Sequence, residues 1–358
     1  MRNLLSLALV FSLVAAPALC ANAQSAGPGR ANGTARTSAT PNASPNAATT
    51  DELMAMLPAS DLIAVVDVRR AFNELLPKLA GITTGGLDKL AKSIQDFTQN
   101  TGVDPSKIRN AVLSFSMDGQ QGTGVIIIQG IDPDAKQIEA VMKEFGSEFK
   151  TSEYKGKTVF NVISKLNAPS AGPLSLKTDE VALAALGRQK VALGDLKMVK
   201  QVIDIQAGAA KGGVSAALAG ALKETRASAL VRFAMNIPEN LRAEAANQGD
   251  LFKSVAAIKV ILGTFDVASD FSLSLDSIIR TASQKDATEL ENGLKGLVGL
   301  GRDIFAGGAD PKTQLFAQLL DQVKIGSKVN DVSLSINLPR EILDQLTKKE
   351  TPPPAEKK

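Results

Sequence analysis

Along this chain the spacing of apolar residues switches repeatedly between the helical and the extended period. After Asp51-Glu52-Leu53 and the turn-forming Leu57-Pro58-Ala59-Ser60-Asp61, the run Leu62 to Val66 predicts a buried strand. Phe72, Leu75, Leu76 and Leu79, and then Leu87, Leu90, Ile94 and Phe97, recur at the three- and four-residue intervals of a helix face. Leu113, Phe115 and Met117 alternate with Ser114 and Ser116, and Asp118-Gly119 followed by Val125 to Ile128 predicts a hairpin. Ile138, Val141, Met142 and Phe145 mark a further helix. Extended runs at Val159 to Ile163 and Val181 to Leu193 follow, and Leu196, Val199, Val202 and Ile203 make another helix.

From Ala229 a similar order returns. A strand from Ala229 to Met235 leads to a helix through Leu241 and Phe252, then to a hairpin of Val260 to Val267 with Phe271 to Ile279. Helices are predicted through Leu290, Leu294 and Val298, and through Leu315, Phe316, Leu319, Leu320 and Val323. A second hairpin ends at Val332 to Leu338, before a short helix from Arg340 to Leu346. Ala64 to Leu75 (AVVDVRRAFNEL) matches Leu230 to Leu241 (LVRFAMNIPENL) in pattern, not in identity. The expectation is an α+β protein of two similar halves, 51–207 and 226–347, with mostly antiparallel sheets packed by helices. A Gly- and Ala-rich junction, 208–225, joins them, and Val214, Ala217, Leu218 and Leu222 give it some helical character.

The ends read differently. Arg2, the apolar run from Leu4 to Ala16 and the small residues closing at Ala21-Asn22-Ala23 make a secretory signal peptide, 1–23. The run spans 13 residues, short of the ~20 needed to cross a bilayer. Cleavage after Ala23 removes Cys20. A lipid anchor on Cys20 is the rival, disfavoured by Leu19 in the place where lipidation wants a small residue. The chain is therefore expected to be exported to the periplasm or beyond, with no transmembrane segment in its mature form. Residues 24–50 and the Pro-rich 348–358 lack the apolar content to offset the entropy of ordering and are expected to be disordered linker and tail.

Composition narrows the chemistry. The 358 residues include no His, no Trp, one Cys and one Tyr. Without imidazole there is no Ser-His or Cys-His nucleophile and no His ligand for zinc. The net charge of +3 misleads, because 7 of the 40 basic but only 2 of the 37 acidic residues lie in the signal, linker and tail. The folded part is near −2, and nothing in it suggests a nucleic-acid partner.

Short motifs weaken under their spacing. Gly102-Val103-Asp104-Pro105, Gly130-Ile131-Asp132-Pro133 and Gly308-Ala309-Asp310-Pro311 each suit a helix start, Asp as cap and Pro at the first position. Asp132/Asp134 is too sparse for a calcium loop. Gly156-Lys157-Thr158 lacks the earlier glycine of a phosphate loop, since Thr151 stands there. Ser147-x-x-Lys150 and Ser152-x-x-Lys155 lack the further elements of a Ser-Lys acyl enzyme. Gly296, Gly299 and Gly301 lie on a helix rather than after a strand. Asp266, Asp270 and Asp276 could pair for acid-base work but surround a hairpin turn. Tyr154 is expected to anchor a strand edge. Ser114/Ser116, Ser272/Ser274 and Ser333/Ser335 alternate with apolar residues, which leaves two readings: faces covered by helices, or a hydroxyl-lined groove between the halves for a polar ligand or extended peptide.

Leu57 to Leu76 (LPASDLIAVVDVRRAFNELL), the Gly102-Val103-Asp104-Pro105 turn, and Val191-Ala192-Leu193-Gly194-Asp195 before a helix resemble a group of uncharacterised exported bacterial proteins with an "LPAD"-type opening. The resemblance implies paired α+β halves over about 53–347 and assigns no functional residue. The expected function is a non-enzymatic binding or structural protein of the cell envelope, with no catalytic, cofactor-binding or metal residue assigned. A polar ligand or an envelope protein is the expected partner. A hydrolase using Ser-Lys or paired carboxylates and a lipid-anchored assembly factor are the alternatives.

Overall fold

The structure, a computed structural model, describes residues 47–75, 87–118, 121–145, 148–162, 175–176, 180–247, 254–306 and 311–347. Helix α1 (Ala47–Met54) precedes strand β1 (Leu62–Val66), and a helical turn, Val68–Arg70, runs on as a π-helical turn, Ala71–Leu75. Then come α2 (Leu87–Thr101), β2 (Asn110–Asp118), β3 (Gln121–Gln129), α3 (Ala135–Phe145), β4 (Phe149–Tyr154), β5 (Lys157–Val162) and the short β6 (Ser175–Leu176). β7 (Val181–Ala185), β8 (Lys190–Asp195), α4 (Leu196–Gln206) and α5 (Ala216–Glu224) follow. The remainder is β9 (Val231–Asn236), α6 (Glu239–Ala246), β10 (Ile258–Val267), β11 (Leu273–Thr281), α7 (Gln284–Ala306), α8 (Pro311–Asp321), β12 (Val323–Lys328), β13 (Asp331–Leu338) and α9 (Arg340–Thr347).

The architecture is the expected α+β mixture on antiparallel pairing, but the strands form one sheet rather than one per half. Its 13 strands run β12-β13-β11-β10-β9-β1-β2-β3-β8-β7-β5-β4, with β6 parallel to β3. The seam is the antiparallel pair β1 and β9, with Ala64 opposite Phe233. On either side lies a hairpin, β2-β3 or β10-β11, and then a later hairpin docked through its second strand, β8 on β3 and β13 on β11. Among the described residues only the first segment adds a further hairpin, β4-β5, outside β7.

Because directly opposed residues share a face, the registers sort the core. One face carries Ile63, Val65, Val112, Val125, Ile127, Ala234 and Leu262, buried under α1 (Leu53), α4 (Met198, Val199, Val202, Ile203) and α5 (Leu218, Ala221, Leu222). The opposite face is covered at one end by α3, through Ile138, Val141 and Met142 against Phe160, Leu183 and Val191. Towards its other end α7 packs Ala287 and Leu290 against Ile258 and Val332. Two phenyl rings compensate for glycines on that face. Phe115 lies across Gly122 and Gly124, and Phe233 across Gly263, so a Cβ at Gly122 would come within 1.9 Å of Phe115.

Three expectations are corrected. Residues 47–50 of the expected linker begin α1, and Thr50 is buried there, because Leu53 and Leu57 anchor that helix in the core. The junction carries the helical character its apolar residues suggest, α5 contributing three core residues. Val323 starts β12 instead of ending α8. Its β-branched side chain suits a strand that pairs with β13. The third correction falls on helix capping: Asp104 caps a 3-10 turn as expected, but α3 is capped by Asp134, not Asp132. Asp134 accepts the Gln137 amide at 2.8 Å while the Gln137 side chain accepts the Asp134 amide at 3.0 Å, a reciprocal capping box. Asp310 lies outside the described residues, as do Ser147 and the expected helix end at Phe252.

Val329 opens the two-residue loop between β12 and β13 with φ of 55°, a left-handed conformation that a β-branched side chain resists. The side chain is 64% exposed and gains little from packing. Val329→Gly is expected to stabilise the protein by about 1 kcal/mol, the strain exceeding the entropy of the added glycine. A melting temperature unchanged or lowered by this substitution would show that the conformation is not strained.

Candidate functional site

A polar depression lies where α4 passes the outer hairpin β4-β5. Asp195 caps α4 by accepting the amides of Lys197 at 2.9 Å and Met198 at 3.3 Å. Burial of Met198, Val199, Val202 and Ile203 fixes the roll of the helix and leaves Lys197, Lys200, Gln201 and Asp204 on its flank. With Tyr154, Glu180, Asp195 and Leu196 these line a depression of about 660 Å³. The hairpin turns at Lys155-Gly156, both with positive φ (49° and 72°), the two-residue turn that matches the twist of an antiparallel pair.

That turn brings the only tyrosine against α4. Tyr154 Oη donates to Asp204 at 3.0 Å (Oδ1) and 3.1 Å (Oδ2), and Lys155 Nζ pairs with Oδ1 at 2.6 Å. Lys200 Nζ stands 5.3 Å and Lys155 Nζ 5.9 Å from the centre of the Tyr154 ring. The expected strand-edge role of Tyr154 thus has a definite partner, one 50 residues away that no local spacing announces. The Lys155 and Tyr154 hydrogen bonds hold the Asp204 carboxyl below its ordinary range, the Lys155 bond being the largest cause. The bond to Asp204 in turn raises the Tyr154 phenol and the Lys155 ammonium above theirs.

The remaining sequence candidates do not converge. Asp266 is shared by Arg70 at 2.6 Å and Arg226 at 3.0 Å, whereas Asp270 accepts the Ser272 amide and hydroxyl inside the β10-β11 turn. Asp276 accepts from Ser335 at 2.8 Å. Three acids with three separate sets of partners cannot act as a pair across one bond. Ser152 lies exposed on β4, and the Lys155 amine it would need is held by Asp204. Lys157 donates to the Leu186 carbonyl at 2.9 Å, so the Gly156-Lys157-Thr158 segment is a hairpin turn. Gly296, Gly299 and Gly301 are within α7. Among the described residues no group of three or more Asp, Glu or Cys side chains is placed to hold a metal ion.

The serines separate as well. Ser114 and Ser333 share one face and one row, but Ile63, Ala234, Leu262 and Ile278 stand between them. Five strand spacings put them about 24 Å apart. Ser114 is buried with its hydroxyl unpartnered, Ser116 contacts Asp61 at 3.4 Å, and Ser272 is in the turn rather than a strand. A polar network that sequence reasoning missed sits at the far edge: Arg280 bridges Glu224 at the end of α5 (2.9 Å) and Asp331 at the start of β13 (2.9 Å).

Fold and sites together define a mixed α+β protein on one antiparallel sheet, with an ion-paired polar depression beside its outer hairpin. No protein-family model matches the chain, and no curated protein matches it. Among solved structures it is similar to crystal form I of TP0453, with a TM-score of 0.40 at 7% identity over 81% of this chain and 94% of that one. Crystal form III of TP0453 gives 0.42 at 8% identity over 81% and 95%. Among the described residues no helix is long and apolar enough to cross a membrane.

Proposed function

We propose that this is an exported protein of the cell envelope that acts by binding rather than by turnover, with the Tyr154-Asp204 depression as its candidate contact site. The observation that carries this is the closed set of contacts among its ionisable groups, Asp204 accepting from Tyr154 Oη at 3.0 Å and pairing with Lys155 Nζ at 2.6 Å. A general acid or base works best with a pKa near the operating pH. Here the carboxyl is pushed down, while the phenol and the ammonium are pushed up, each away from neutrality. The three groups stabilise one another as fixed charges and donors, which suits recognition and opposes proton transfer. Export is supported by the Leu4 to Ala23 pattern.

Two measurements test the reading. Mass spectrometry of the protein made in a bacterial host is expected to give an N-terminus at Gln24, and a diacylated Cys20 would replace free export with a lipid anchor. A hydrolase substrate panel is expected to give no turnover. Activity abolished by Ser152→Ala, Lys155→Met or Asp204→Asn alone would overturn the binding assignment.

A further inference from the structure

A second depression, of about 630 Å³, opens towards the other end of the sheet, between the start of β10, the end of β11 and the β12-β13 turn. Its volume is that of a small-molecule site. The lining carries three cations, Lys259, Arg280 and Lys328, against one acid, Asp331, together with the apolar Ala282 and Val329. Backbone bonds fix its floor. The Thr281 amide donates to the Asn330 carbonyl at 2.8 Å and the Ala282 amide to the Ala257 carbonyl at 3.2 Å, tying the turn and the start of β10 to the end of β11.

The charges in this lining do not cancel pairwise. Arg280 holds Asp331 through two bonds, 2.9 and 3.1 Å, and Glu224 of α5 through two more, 3.1 and 2.9 Å. Both carboxylates are thereby turned to one guanidinium, whose donors are nearly all engaged. Lys328 stands opposite Asp331 in register, yet neither it nor Lys259 makes an ion pair or a side-chain hydrogen bond among the described residues. Lys259 owes its place to a β-bulge. Ile258 faces Thr281 and Val260 faces Arg280, so Lys259 is the extra residue, and a bulge re-aims the side chain it carries. Val329 adds an apolar wall at the cost of a left-handed backbone, φ 55°, while remaining 64% exposed. A strained position of this kind persists where its side chain serves binding rather than packing.

We propose that this depression binds a small organic acid with an apolar body. Lys259 and Lys328 take the carboxylate between two ammonium groups, Ala282 and Val329 cover part of the apolar body, and Arg280 keeps the two acids away from the lysines without touching the ligand. The site lies on other elements than the Tyr154-Asp204 depression and does not depend on it.

The test titrates hexanoate, acetate and 1-hexanol separately into the full chain by calorimetry at low salt. Hexanoate is expected to bind saturably, acetate about tenfold more weakly because it lacks the apolar body, and hexanol not at all. Lys259→Met and Lys328→Met should each weaken hexanoate roughly fivefold, and the double variant should abolish saturable binding. Val329→Gly should weaken hexanoate but not acetate even as it raises the melting temperature, a split that a merely structural role would not give. Thermal melts verify that each lysine variant is folded. Absence of saturable hexanoate binding, equal affinities for hexanoate and acetate, or undiminished binding in the folded double variant overturns the site.

Discussion

Gly213→Val is expected to destabilise the fold by about 3 kcal/mol through forced overpacking, lowering the melting temperature by roughly 6–10 °C. The segment ahead of α5 crosses the turn between α1 and β1, where the Gly213 amide donates to the Leu57 carbonyl at 3.0 Å. A Cβ on Gly213 would lie 2.1 Å from the Ala59 nitrogen and 2.7 Å from the Pro58 carbonyl carbon, and one on Gly212 2.4 Å from the Ala55 oxygen. Those neighbours are backbone and cannot rotate aside. Gly220 is the internal control. It lies in α5 with open space where a Cβ would go, so Gly220→Ala should instead stabilise by about 0.5–1 kcal/mol through helix propensity. Equal and small effects at both positions would mean that the crossing is looser than its contacts indicate.

The second large effect is spectroscopic. With one tyrosine and no tryptophan in the chain, tyrosinate absorbance reports on Tyr154 alone. Its titration midpoint should lie above the ordinary value of about 10, because ionisation would break the bond to Asp204 and place two anions together. Asp204→Asn should bring the midpoint back down. The stability contributed by the raised phenol is complete below the unfolded-state pKa and is lost as pH rises through the folded one. The depressed Asp204 carboxyl acts in the opposite window, its contribution present above the unfolded-state value and lost on acidification. A midpoint that ignores Asp204→Asn would show that the hydrogen bond does not persist in solution.

How far the sequence carried depended on the range of the interaction. β1 is bounded at Leu62 and Val66 as the apolar run predicts, and α4 follows Leu196, Val199, Val202 and Ile203, because both signals are local periodicities. The hairpins β2-β3 and β10-β11 were legible for the same reason. The single sheet was not, since the pairing of β1 with β9 joins segments that carry no mutual signal. The site failed in the same way: the Ser-x-x-Lys match at Ser152 named Lys155, but its decisive partner, Asp204, comes from another element. Duplicated halves would add a relationship between the segments; the strand order alone describes how they share one sheet.

That shared seam bears on how the chain becomes a protein at all. Leu62 on β1 meets Met235 on β9 about 170 positions later. As the chain emerges from its N-terminus, β1 can recruit β2 early, but its other edge must wait, unpaired and apolar, until most of the polypeptide has appeared. Closing so long a loop is slow relative to zipping a hairpin. Folding should therefore show a late step in which two preformed flanks join at the centre, and the interval before that step is when the chain is most exposed to mispairing with a neighbour.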